Sequence, residues 1–144
     1  MSENKGFNKK HAIQLQDLKV LQLRIAVKSS SQEIPTFEGF HLYHGHSPYD
    51  DEKGVIAVKL GVEIDSEIDK KSPFDLKVEI LGFFKVDKDN FNIDYLEDWA
   101  ARNAPLVLYP YIREQVYSLT SRAGFNGILL PLFEVPTFKF EAKS

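Results

Sequence analysis

The sequence predicts an α+β domain in which a four-stranded antiparallel sheet carries one long helix on one face, and it predicts that the domain is oligomeric. Apolar and polar residues alternate in four segments up to Val86, the period of half-buried strands. Beyond residue 103 the apolar spacing changes to that of a helix. That helix carries apolar side chains on more than one face, and a single sheet can cover only one of them.

The first strand segment runs from Ala12 to Val27. Ile13 and Leu15 alternate, as do Leu21, Leu23, Ile25 and Val27, but Leu18 and Val20 fall on the opposite face. A bulge, or burial on both sides, explains the break in phase. In "TFEGFHLYHGH" Phe40 and Leu42 share one face, with Phe37 and Tyr43 on the other. The alternation is clearest from Val55 to Asp65, with Ile56, Val58, Leu60, Val62 and Ile64 inward against Lys59, Glu63 and Asp65. A fourth strand places Phe74, Leu76, Val78, Ile80, Phe84 and Val86 on its buried face, with Gly82 as a bulge or a point of close approach. "IDYLEDWAAR" then reads as a short helical crossover.

The long helix is expected to begin near residue 104, with Asn103 as a side-chain cap and Pro105 in the first turn. Leu108, Ile112, Val116 and Leu119 form the stripe that faces the sheet, and Gly124 is placed to end the helix in a left-handed conformation. Pro110 removes one backbone hydrogen bond and predicts a mild kink. Leu106, Val107, Tyr109, Tyr111 and Tyr117 make up a second surface. At about 1.5–3 kcal/mol per side chain, four of these left in water forgo roughly 6–12 kcal/mol. A second covering surface is therefore expected; a symmetry mate is its usual source, and the chain's own tail is the alternative.

At 144 residues with 43% hydrophobic content, the chain suits a single domain spanning residues 1–144. The net charge of -3 gives no polybasic field for nucleic acid or anionic lipid. No apolar run approaches the roughly 20 residues of a membrane span. No signal-peptide core follows Lys9 and Lys10, so a cytoplasmic location is expected. Without cysteine, thiolate metal sites and cysteine nucleophiles are excluded. "HLYHGH" invites a metal reading, but on a strand His44 and His46 share a face while His41 points away, which suits surface histidines on an edge strand. Asp50, Asp51 and Glu52 read as an acidic turn, because the spacing of a calcium loop is missing. No phosphate loop or nucleophile elbow occurs, so no catalytic residue, metal or cofactor is assigned. Arg113 and Glu114 read as an ion pair near an oligomer seam. The tail "GFNGILLPLFEVPTFKF" is apolar, and its two prolines forbid a long helix. It either closes the core or lines a groove together with Phe40 and Leu42.

The run "NAPLVLYPYIREQVYSLTSRAGFNGILLPLFEVPTF" resembles the C-terminal core of the SecB protein-export chaperones, in Pro110-Tyr111-x-Arg113-Glu114, in Ser121-Arg122, and in the aromatic followed by a Leu/Pro-rich loop. The upstream order of four strands, crossover and long helix also suits that fold. The resemblance implies dimers of dimers in which paired sheets sandwich the long helices, with Val107, Tyr111, Arg113, Glu114 and Tyr117 at the interface. It implies an ATP-independent holdase rather than an enzyme, which takes unfolded or extended polypeptides, for protein export in this family, in an apolar groove of Phe40, Leu42, Phe125, Leu130, Leu132, Phe133 and Phe138. The other reading is a dedicated adaptor or antitoxin-type chaperone for one partner protein.

The sequence departs from the family at three points. It ends at "PTFKFEAKS", where family members run on into a second helix that walls the groove, so a short, divergent member is expected. Pro131 stands about one residue early. At the acidic sheet positions with which the family docks the motor ATPase SecA, this chain carries Gln22, Ala26 and Lys77, so the resemblance does not extend to SecA docking.

Overall fold

The computed structural model describes residues 9–28, 39–65 and 72–133. Phe37 and Phe138, assigned above to a strand face and to a groove, lie outside the described residues. Four strands, β1 (Ile13–Val27), β2 (His41–His46), β3 (Val55–Ile64) and β4 (Phe74–Val86), form one antiparallel sheet in the order β1-β4-β3-β2. A 3-10 turn (Ile93–Tyr95), α1 (Leu96–Arg102) and α2 (Ala104–Arg122) complete the described elements.

The alternation in β3 and β4 translates directly into burial. Ile56, Val58, Leu60, Val62 and Ile64 are each no more than 1% exposed, and Phe74, Val78, Ile80 and Phe84 match them. Against this floor lies the α2 stripe, with Leu108, Ile112 and Val116 fully buried and Leu119 nearly so. The other face of the sheet carries a charge ladder, with Lys28–Asp75, Lys59–Glu79 and Lys77–Glu63 paired at 3.1, 3.3 and 3.5 Å. Gln22 and Ala26 stand on this face too, opposite Glu79 and Asp75.

β1 carries the expected irregularity twice, with its register against β4 shifting between Leu15 and Asp17 and again between Val20 and Gln22. Its pairings put Val20, Leu23 and Val27 opposite the buried Ile80, Val78 and Phe74, on the helix side. Yet these three stay 47%, 40% and 51% exposed. As an edge strand, the far half of β1 lies beyond the cover of α2.

Two expectations about α2 are corrected. Asn103 makes no side-chain cap, because α1 runs on into α2 with no free helix start between them. The Asn103 N–H bonds back to the Trp99 carbonyl, its own carbonyl accepts from Leu106 and Val107, and its Oδ1 is buried without a partner. Tyr109 does not join the second surface, since it is only 8% exposed. The helix passes through Pro110 without interruption. It ends as predicted, at Gly124 with φ of 99°, a value costly for any residue with a side chain.

Gly82 is where α2 rests on the sheet. A Cβ built there would stand 2.7 Å from Leu108 Cδ2 and 3.1 Å from Leu15 Cδ1. Leu108 is fully buried and has no room to rotate away. Gly82→Val is therefore expected to destabilise the fold by about 1–3 kcal/mol through overpacking, outweighing the roughly 0.5–1 kcal/mol that a side chain gains over glycine in a strand. Urea unfolding checks this: the midpoint should fall with an unchanged slope, and an unaltered midpoint would refute the close contact.

Candidate functional site

Past Gly124 the chain folds back along α2 without forming helix or strand. Its side chains divide between two environments. Phe125 is half-buried and meets Phe74 edge-on at 5.2 Å between ring centroids, while Ile128 and Leu130 are buried at 4% and 0% exposure. Leu129, Leu132 and Phe133 are turned outward at 61%, 76% and 47%. Among the described tail residues, Ile128 and Leu130 close the core, while Leu129, Leu132 and Phe133 present apolar surface.

The outward residues meet β2 at its entrance. The Phe133 ring stands 6.0 Å from Phe40 and 5.4 Å from Tyr109, centroid to centroid, and Phe40 and Leu42 pack half-buried against the core. Phe40, Tyr109 and Phe133 therefore form an aromatic cluster in which Phe133 stays half-open, with Leu132 exposed beside it in the chain. Leu130 is buried and Phe125 packs on Phe74, so they offer little area of their own.

Hydrogen bonds from α2 hold this segment in place. The Tyr109 hydroxyl donates to the Pro131 carbonyl at 2.5 Å, and Arg113 Nε donates to the Leu130 carbonyl at 2.8 Å. Thr120 Oγ1 accepts from the Ile128 N–H at 3.0 Å and donates to the Val116 carbonyl at 2.8 Å. Burial pushes the Tyr109 phenol above its usual range, opposed by the Arg113 charge, so it remains a donor. The expected Arg113–Glu114 pair does not form: neighbours in a helix do not face each other, and Arg113 turns to the tail while Glu114 faces solvent. Sequence reasoning missed Tyr109 and Thr120 as anchors. The available signal was the i, i+4, i+11 spacing of Tyr109, Arg113 and Thr120, which sets three hydrogen-bonding side chains on one flank beside the core stripe.

Of the residues assigned to an interface, Val107, Tyr111, Glu114 and Tyr117 share the exposed side of α2, together with Leu106, whereas Arg113 turns to the tail. Leu106, Val107, Tyr111 and Tyr117 are 37%, 42%, 44% and 46% exposed. On β2, His41 stacks on Tyr43 at 5.6 Å and approaches Glu63 at 3.8 Å, whereas His46 bonds to the Ser47 carbonyl. Among the described residues, no group of three or more His, Asp or Glu side chains is arranged to hold a metal ion. Tyr43 donates to Glu79 at 3.3 Å, and its pKa is pushed up to about 12 by burial and the adjacent carboxylate. This ties the β2 edge into the charge ladder. No described helix is long and apolar enough to cross a membrane.

A family model described as preprotein translocase subunit SecB matches residues 12–135. A protein-export protein SecB of Anaplasma phagocytophilum (strain HZ) is 26% identical over 117 residues, covering 78% of this chain and 68% of that protein. Another, of Dechloromonas aromatica (strain RCB), is 36% identical over 77 residues, covering 54% and 49%. The match to the second relative thus spans less than half of its length. Among solved structures, a Mycobacterium tuberculosis SecB-like chaperone in complex with a ChAD peptide from the HigA1 antitoxin has a TM-score of 0.63 at 20% identity, over 85% of this chain and 91% of that one. At that identity the likeness is one of fold.

Proposed function

The chain belongs to the SecB family, and from that premise we propose that it is an ATP-independent chaperone that holds unfolded or extended polypeptide segments by apolar contact. The observation that carries this reading is the patch of Leu132 and Phe133, large apolar side chains open to solvent, with the Phe133 ring against Phe40 and Tyr109. Such a surface accepts many sequences, because apolar burial is non-directional. Leu42, Phe125, Leu130 and Phe138 are proposed to extend the client-binding surface. No step of this work needs catalysis or a cofactor. Protein export is the client pathway that the curated relatives' names suggest. A cytoplasmic site of action accords with that pathway.

The working form is proposed to be a homo-oligomer. Two surfaces support it: the exposed side of α2 with Val107, Tyr111, Glu114 and Tyr117, and the uncovered far half of β1. An edge strand that no further described strand pairs, carrying exposed apolar residues, is a liability in a monomer, and pairing it with a second copy removes that liability. SecA docking forms no part of the proposal, since Gln22, Ala26 and Lys77 stand among paired charges on the open face.

A second reading is favoured by one observation: the structural neighbour was solved with a peptide from an antitoxin. On that reading this chain is a dedicated adaptor for one partner. Aggregation of several unrelated denatured proteins, followed by light scattering at a modest molar excess of this chain, separates the two. Broad suppression is the expected result. Suppression of none, with tight capture of a single co-encoded protein, would replace the holdase by the adaptor.

A further inference from the structure

The segment from Asn126 to Pro131 is held in a manner that differs from the rest of the core. As its numbering rises from Ile128 to Leu130 to Pro131, its α2 partners fall from Thr120 to Arg113 to Tyr109, so it lies antiparallel to the helix. Every one of these bonds goes to the main chain of the segment. Only two side chains are read, Ile128 and Leu130, which alternate with the outward Leu129 as in an extended strand. Thr120 can accept from the Ile128 N–H because its own proton is committed to the helix. Gly127 fits because a Cβ there would stand 2.4 Å from the Tyr117 ring. Main-chain hydrogen bonds with pockets for alternate side chains are the means by which proteins bind extended peptides of varied sequence.

We infer that this flank of α2, built from Tyr109, Arg113, Tyr117 and Thr120, is a receptor for an extended polypeptide segment, and that residues 126–131 occupy it in cis as a built-in competitor. An incoming extended segment enters it by displacing them. The inference rests on the proposed chaperone reading only in naming a client as the displacing chain. Tethered two residues after the Gly124 turn, the cis segment acts at an effective concentration on the order of millimolar, which masks the receptor from dilute peptide.

The probe is a fluorescein-labelled peptide of residues 126–133, NGILLPLF, titrated by anisotropy against the full chain and its variants. Leu130→Ala weakens the cis segment and leaves the receptor side chains intact, so it should bind the probe at least tenfold tighter than the wild type does. Pro131→Gly leaves both pockets filled and gives the segment more freedom when displaced, for an expected gain of about two- to fivefold. It stands in should Leu130→Ala fail to fold. Adding Arg113→Ala should abolish either gain, since the probe loses its own hydrogen bond, which separates this receptor from the exposed Phe133 patch. Folded Leu130→Ala or Pro131→Gly that binds the probe no better than the wild type, or a gain that survives Arg113→Ala, would overturn the inference. A gain in probe binding with no suppression of client aggregation would uphold the receptor and remove the chaperone reading.

Discussion

Tyr111→Asp is expected to convert the proposed wild-type oligomer into monomers while leaving the fold intact. Tyr111 is 44% exposed on a helix side shared with Leu106, Val107 and Tyr117. At about 40% exposure, four such side chains forgo roughly 2.5–5 kcal/mol of burial in each copy, and a symmetric seam recovers it twice. An aspartate at the centre of that seam leaves an unpaired carboxylate out of water, at a cost of about 3–5 kcal/mol per copy. With one such carboxylate from each copy the total is roughly 6–10 kcal/mol, so the dissociation constant should rise by about four to seven decades. Tyr117→Asp should act in the same direction, with an added disturbance because its ring covers Gly127. Gel filtration with light scattering reads the mass, and circular dichroism verifies the fold. A monomeric wild type at tens of micromolar, or a Tyr111→Asp variant of unchanged mass, would rule out the seam.

The parts of the fold legible in the sequence are those where one face is wet and the other dry. β3 and β4 were readable residue by residue, because each inward position is apolar over the full length of the strand. β1 was readable as irregular, but not in its exposure. Its apolar residues predict burial, and only the strand order, with β1 at the edge beyond β4, reveals why Val20, Leu23 and Val27 stay half-open. That order is a long-range property with no local signature. Asn103 carried every local mark of a cap, and it failed because α1 fills the space where a free helix start would have been.

The candidate site was legible in composition and ambiguous in assignment. Alternation in the tail shows that one set of its residues turns inward, without showing which surface receives them. Tyr109 illustrates the limit: periodicity alone assigned it to an open helix face, whereas the Pro131 carbonyl and the Phe133 ring enclose it. These contacts span more than twenty residues of chain and are set by the turn at Gly124. Arg113 was singled out for its charge, yet the acceptor it found is a backbone carbonyl, a partner that no residue-type pattern can indicate.

The central claim, that the exposed tail patch captures extended polypeptide by apolar contact, is tested most directly by titrating a labelled, permanently unfolded protein against the wild type and Phe133→Ser. About half of the Phe133 side chain is open, so a client can bury roughly 100 Å² on it, worth about 2.5 kcal/mol. Losing most of that contact should weaken binding by about 10- to 50-fold. The other half of the ring covers Phe40 and Tyr109, so the thermal midpoint should fall by several degrees, and binding is read well below it. The account predicts affinity for several unrelated unfolded chains in the wild type and a parallel loss for all of them in Phe133→Ser. Binding to unfolded chains that is unchanged by Phe133→Ser would contradict it.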